Sequence, residues 1–246
     1  MGSSALGGIY IRGDANQVHF SIDGVGNQVI TVVQGSTTTV FTVDRMNNQT
    51  TRRVGSTTTS YVGTLNGVLY CTGNILSLRG DIADSYVSGS TVNRNAWTVA
   101  TNSVSGKDTV VTGNIYYRTR PNNNEPWDSA TNRRAGCLGL VTDECQIGSA
   151  APTNLWIDAV MVCGGSTTTT GQFWAPTYAS KRPQGTVDIF GGCIAYKAGA
   201  TATTSGTGWN DSYHYDERLK ADPPPYFPTT GAYDRLSWRR LRATGS

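Results

Sequence analysis

One pattern recurs along this chain and restricts its folds more than any other feature: a short apolar stretch, a glycine, a small or polar residue, then isoleucine. The copies are Val68–Ile75, Leu76–Ile82, Thr109–Ile115 and Val187–Ile194. Each is too short to bury an apolar face alone. Stacked at about 4.8 Å, strand on strand, such units build a continuous core, with glycine letting the chain turn the corner. Further apolar runs, Leu138–Val141 and Leu155–Val162, lie between the copies at irregular spacings that insertions explain. The pattern predicts the rungs of a β-solenoid. A β-sandwich is the competing architecture, since it also needs short strands separated by turns.

Ahead of these copies the texture differs. Ile9-Tyr10-Ile11, Val18–Ile22, Val29–Val33 and Val40–Val43 alternate in short runs bounded by Asp23-Gly24, Gln34-Gly35-Ser36 and Asn47-Asn48, residues that supply tight turns. This predicts an antiparallel β-meander. The expected organisation is an expression scar or linker over 1–7, the meander over 8–54, the solenoid with inserted loops and a Pro-rich cap over 55–228, and a tail over 229–246. Met1-Gly2-Ser3-Ser4 has the character of a scar, so the domain is expected to come from a longer protein with a membrane or filament anchor upstream. The only helix candidate, Tyr233–Leu241, is short and equally suits a final strand.

Composition supports the all-β reading. Charged residues make up 15% of the 246, against about 25% in ordinary globular chains, while Gly, Ser, Thr and Asn abound. The net charge of +3 is too weak to demand a polyanionic partner by itself. Cys71, Cys137, Cys145, Cys163 and Cys193 are scattered without a C-x-x-C and, with two histidines, give a zinc site few ligands. Most sit in apolar runs, as small buried hydrophobes do, although a Cys137–Cys145 bridge stays open in an oxidising compartment.

The C-terminal segment carries the most specific signal. Tyr215-Asp216-Glu217-Arg218-Leu219, a short spacer and Pro223-Pro224-Pro225-Tyr226-Phe227-Pro228 resemble the close of pilus-assembly proteins of the PilX-like kind, which include competence minor pilins of the Deinococcus-Thermus group. Gly8–Asp14, the Gly-Asn-Ile and Gly-Asp-Ile rungs, Leu138–Val141 and Ile157-Asp158-Ala159 are compatible with that family, so the likeness covers nearly the whole chain. The resemblance implies a type IV pilus-associated β-solenoid at the cell surface, with other pilin subunits as partners and double-stranded DNA as a ligand in natural transformation. Read physically, a proline-rich aromatic segment suits a cap or a return strap, because it offers few N–H groups to a further strand. A polyproline II peptide ligand is the alternative use of Pro223–Pro225.

Candidate chemistry is sparse. Asp81, Asp108, Asp143, Glu144, Asp158 and Asp188 are available acids, but none stands at a spacing from His19 or His214 that suggests acid–base work. No D-x-D-x-D-G calcium loop is present. No catalytic residue, metal or cofactor is therefore expected. The segment Tyr116–Arg134 mixes arginines with aromatics, a composition that suits phosphate contact and base stacking. Arg118, Arg120, Arg133, Arg134, Tyr117 and Trp127 are the candidate nucleic-acid-binding residues, and Arg52-Arg53, Lys181-Arg182 and Arg239-Arg240 are further basic pairs. The expected function is non-enzymatic surface contact on a pilus, with DNA or a surface glycan as ligand. A polysaccharide-binding or polysaccharide-cleaving β-helix and a structural spike shaft are the alternatives.

Overall fold

The computed structural model describes residues 6–165, 167 and 169–228. The expected tail, the helix candidate at 233–241, the pair Arg239-Arg240 and most of the N-terminal scar lie outside these residues. Within them the chain is nearly all β, with one large mixed sheet and one small hairpin. No described helix is long and apolar enough to cross a membrane.

Strands β1 (Ile9–Ile11) and β2 (Gln17–Ile22) are followed by β3 (Gln28–Gln34), β4 (Thr37–Asp44), β5 (Gln49–Val54) and β6 (Thr57–Val62). From β2 to β6 each strand pairs antiparallel with the next, giving the meander its sequence order. Aspartates build the turns: Asp23 Oδ1 accepts from the backbone N–H of Val25 and Asn27, and Asp44 Oδ1 from that of Asn47. Strand β1 pairs elsewhere, in parallel with β7 (Val68–Cys71).

From β7 onward the pairing is almost wholly parallel. After β8 (Ile75–Ile82) and a hairpin of β9 (Tyr86–Ser88) and β10 (Thr91–Asn93) come β11 (Ala96–Thr101), β12 (Thr109–Tyr117) and the one-turn helix α1 (Ala130–Arg134). The rest are β13 (Cys137–Thr142), β14 (Cys145–Ile147), β15 (Asn154–Cys163), β16 (Phe173–Trp174), β17 (Gly185–Ala195), β18 (Ala202–Thr203) and β19 (Thr207–Tyr215). Residues 21 to 60 apart in sequence stand in register. Ile9, Leu69, Val99, Leu140 and Met161 form one row across β1, β7, β11, β13 and β15, and all five are buried. Ile115, Ile157 and Ile189 form another across β12, β15 and β17. Each such side chain contributes roughly 1.5–3 kcal/mol on leaving water.

The second and third glycine-isoleucine copies lie on the paired strands β8 and β12, with Leu78 opposite Val111, but the register is not kept through to their isoleucines. Gly80 pairs with Ile115, beyond a bulge in the β8–β12 ladder. Gly80 instead serves a local need. Its φ is +116°, and a Cβ there would overlap the Phe20 carbonyl oxygen of β2.

Between β1 and β2 and its equivalents the chain turns, and backbone N–H groups would lose strand partners there. A ladder of polar side chains meets them. Asp14 Oδ1 accepts from Asn74 N at 2.7 Å, Asn74 Oδ1 from Asp108 N at 3.0 Å, and Asp108 Oδ1 from Glu144 N at 3.1 Å. Glu144 ends the described ladder by accepting from Gln172 Nε2 and Trp174 Nε1.

At β19 the inward rows change character. Leu155–Val187 continues to Asp211, and Ile157–Ile189 continues to Tyr213. An inward-directed charge on the last strand discourages further pairing at an open edge.

The Pro-rich segment is a return strap. Asp222 pairs with Arg94, the Pro225 carbonyl accepts from Thr98 Oγ1, and the Phe227 ring lies against Gly139, where a Cβ would collide with it. It therefore runs over the outer side of β11 and β13. Of the two expected uses, cap or return strap, these contacts with β11, Arg94 and β13 are those of a strap. The Asp216–Arg218 ion pair, 2.7 Å and nearly inaccessible to water, anchors its root. Arg218 also donates to the Ala135 and Gly136 carbonyls and sits over the Tyr117 ring. All five cysteines are free thiols, Cys137 and Cys145 included.

Candidate functional site

Residues 118–129 leave the sheet at the end of β12 and return through α1. The loop is held in shape. Asn132, buried, accepts from Asn122 N and donates to the Asn122 and Pro126 carbonyls, and Ser129 caps α1 by accepting from Asn132 N. Arg218 supports α1 from beneath, through the carbonyls that follow it.

This frame brings three of the predicted arginines to one side. Arg118, exposed, and Arg134 line a cleft of about 410 Å³ together with Arg45 from the meander. Arg134 also borders a second cleft, of about 490 Å³, which it shares with Arg133. Arg133 in turn borders a third, of about 430 Å³, with Trp127 and Arg94. Neighbouring clefts share lining residues, Ser85, Tyr86 and Arg134 between the first two and Arg133 between the second and third. Trp127 is 52% exposed and open to stacking. Among the described residues, Arg45, Arg118 and Arg133 have no carboxylate partner: Arg45 donates to Asn93 and Asn95, and Arg133 to the Gly89 and Ser90 carbonyls. Arg134 pairs with Asp84 at 3.4 Å, and Arg94 with Asp222. Burial, with the nearby Arg94 charge adding to it, pushes the Arg45 guanidinium down to about 10, still protonated at neutral pH.

Two predicted residues stand apart. Tyr117 is buried, with its hydroxyl accepting from Leu138 N and its ring enclosed by Phe190 and Arg218, which leaves no face for a base. Arg120 turns to the opposite flank of the loop. Its Nη2 lies 2.6 Å from Asp188 Oδ1 and 3.1 Å from Asp158 Oδ1, and its guanidinium covers the rings of Phe190 and Trp156. His214 Nε2 completes the group, 3.1 Å from Asp188 Oδ2. The histidine thus has an aspartate partner that linear spacing hides, since β17 and β19 supply them 26 residues apart in sequence.

The chemistry open to this group is limited. His214 Nε2 is also 3.2 Å from Ser212 Oγ, so one nitrogen faces both serine and aspartate, whereas a relay needs the two ring nitrogens. Asp158 is buried and accepts from Tyr117 N, which fixes the point where the loop leaves the sheet. Burial raises its carboxyl to about 6 despite Arg120. The ladder acid Asp108 is likewise raised to about 6, chiefly by burial, with Glu144 and Asp143 contributing. Asp143 accepts from Thr170. Asp81 lies exposed on β8. His19, on β2, is lowered by burial and by Arg79.

Arg45, Arg94 and the Trp156–Asp188 surface had no signal in the linear sequence. No family model matches the chain, and no curated protein or solved structure matches it.

Proposed function

We propose that the parallel strands wind as a β-solenoid, and that the chain is a non-enzymatic extracellular domain of a type IV pilus-associated protein. Its role is surface contact, including contact with double-stranded DNA through the arginine belt. The winding is supported by the in-register rows that return to the same ladder after each insertion. The Tyr215–Leu219 and Pro223–Pro228 segments that carry the family likeness form the anchored strap, which gives that motif a physical reason.

The DNA reading rests on one observation: Arg118, Arg134 and Arg133, with Arg45 and Arg94 from distant connecting segments, border three clefts linked by shared lining residues. Phosphate contact by such side chains releases counterions and depends steeply on salt. The test is binding to a labelled duplex over a salt series, with Arg118, Arg133 and Arg134 together changed to alanine. Losing three phosphate contacts flattens the slope of log affinity against log salt by roughly 3. No binding at low salt, or an unchanged slope in the triple variant, overturns the reading.

A further inference from the structure

We propose a second binding site, for an uncharged, unbranched sugar chain, in the groove on the outer face of β15, β17 and β19. The groove, of about 380 Å³, is built from two rows that cross the three strands in register. One row is Asn154, Thr186 and Asn210, and the other is Trp156, Asp188 and Ser212. The rows repeat at the strand spacing of about 4.8 Å, comparable to one sugar unit of an extended chain.

The side chains are of the kinds that recognise sugars. Trp156 is 38% exposed and is held on its flanks by Tyr116, at 5.9 Å between centroids, and by the Arg120 guanidinium. Its remaining ring surface offers an apolar platform for the C–H face of a pyranose, and asparagine, serine, threonine and aspartate present donors and acceptors to hydroxyls. Asp188 already accepts from Arg120, and each carboxylate oxygen keeps capacity for a further donor.

Charge selects against the ligand of the arginine belt. The nearest cation, Arg120, is within ion-pair distance of both Asp158 and Asp188, so Asp188 is the carboxylate that the outer rows present to the groove. A phosphate or uronate chain is repelled here, and an uncharged one is not. The groove and the belt therefore take different ligands.

The experiment is titration of the intact chain with cellohexaose, maltohexaose and chitohexaose, followed by calorimetry and tryptophan fluorescence. At least one should bind, with affinity insensitive to salt. Trp156→Ala should weaken it about tenfold or more, the scale expected on losing a contact of this kind. Thr186→Arg, which fills the groove from an exposed position without removing the platform, should abolish binding and leave the thermal transition in place. The Arg118, Arg133 and Arg134 triple variant should bind the sugar as the parent does. Absence of binding by all three sugars overturns the proposal, and so does binding that survives Thr186→Arg.

Discussion

Strands β13 and β6 carry ladders of the same backbone hydrogen bonds, yet β13 is buried at nearly every residue and β6 is exposed at every one. β13 lies between β11 and β15, with apolar rows on one side and the strap on the other. β6 pairs with β5 along one edge, and its Thr57-Thr58-Thr59-Ser60 run packs nothing. The difference teaches that register across the parallel body is set by side-chain rows, while the outer meander relies on turn chemistry and cross-strand hydrogen bonds. Stability is accordingly uneven, and the two regions should fail separately.

The largest effect is expected where the body closes on itself. Arg218→Ala leaves Asp216 buried without its cation, removes donors from the Ala135 and Gly136 carbonyls, and frees the root of the strap. Breaking a buried pair in this way costs about 3–5 kcal/mol. Urea denaturation should show that loss, and limited proteolysis should cut near Pro223–Phe227. A variant as stable as the parent would show that the strap merely rests on the sheet.

The sequence conveys these two regions unequally. Apolar patterning marks β1 to β4 well, with buried positions alternating along β1, β2 and β3. It misses β5 and β6, whose threonines and arginines give no apolar period, so 55–67 has the look of a loop. In the body, the glycine-isoleucine copies mark strands correctly but not their register, since bulges and insertions shift one copy against the next. The site behaves alike. Arg118, Arg133 and Arg134 are legible because one loop carries them, whereas Arg45, Arg94 and the Arg120–Asp188–His214 contacts come from segments that only pairing unites.

A smaller effect should appear at the junction between the regions. Asn95 accepts from Trp97 Nε1 and Arg45 Nε and donates to Gln28 Oε1 and to the Ala83 carbonyl, while Gln28 accepts from Ala83 N. This buried network joins the meander to the body. Asn95→Leu strands several of these groups, at about 1–3 kcal/mol for an unsatisfied one. Hydrogen exchange should accelerate in β3 and β4 well before β13 and β15. Uniform acceleration across both regions would mean that they unfold as one unit.

The smallest effect concerns pH, and it belongs to the body. Asp108 is raised to about 6, mainly by burial, so between its ordinary value and about 6 the folded chain holds a proton that the unfolded chain has released. That contribution is complete below the ordinary carboxylate range and is lost as pH rises through about 6. Asp158 behaves in the same way, and His19, lowered by burial and Arg79, opposes both on acidification. Asp108→Asn isolates one of these three. An amide oxygen at 108 can still accept from Glu144 N, as Asn74 accepts from Asp108 N one step along the ladder. The variant should therefore melt above the parent at pH 7, and the gap should narrow towards pH 5, where the parent's own carboxyl is largely protonated. A gap that widens on acidification would show that the charged form of Asp108 is the one the ladder prefers, and that Glu144 N, not burial, governs this corner.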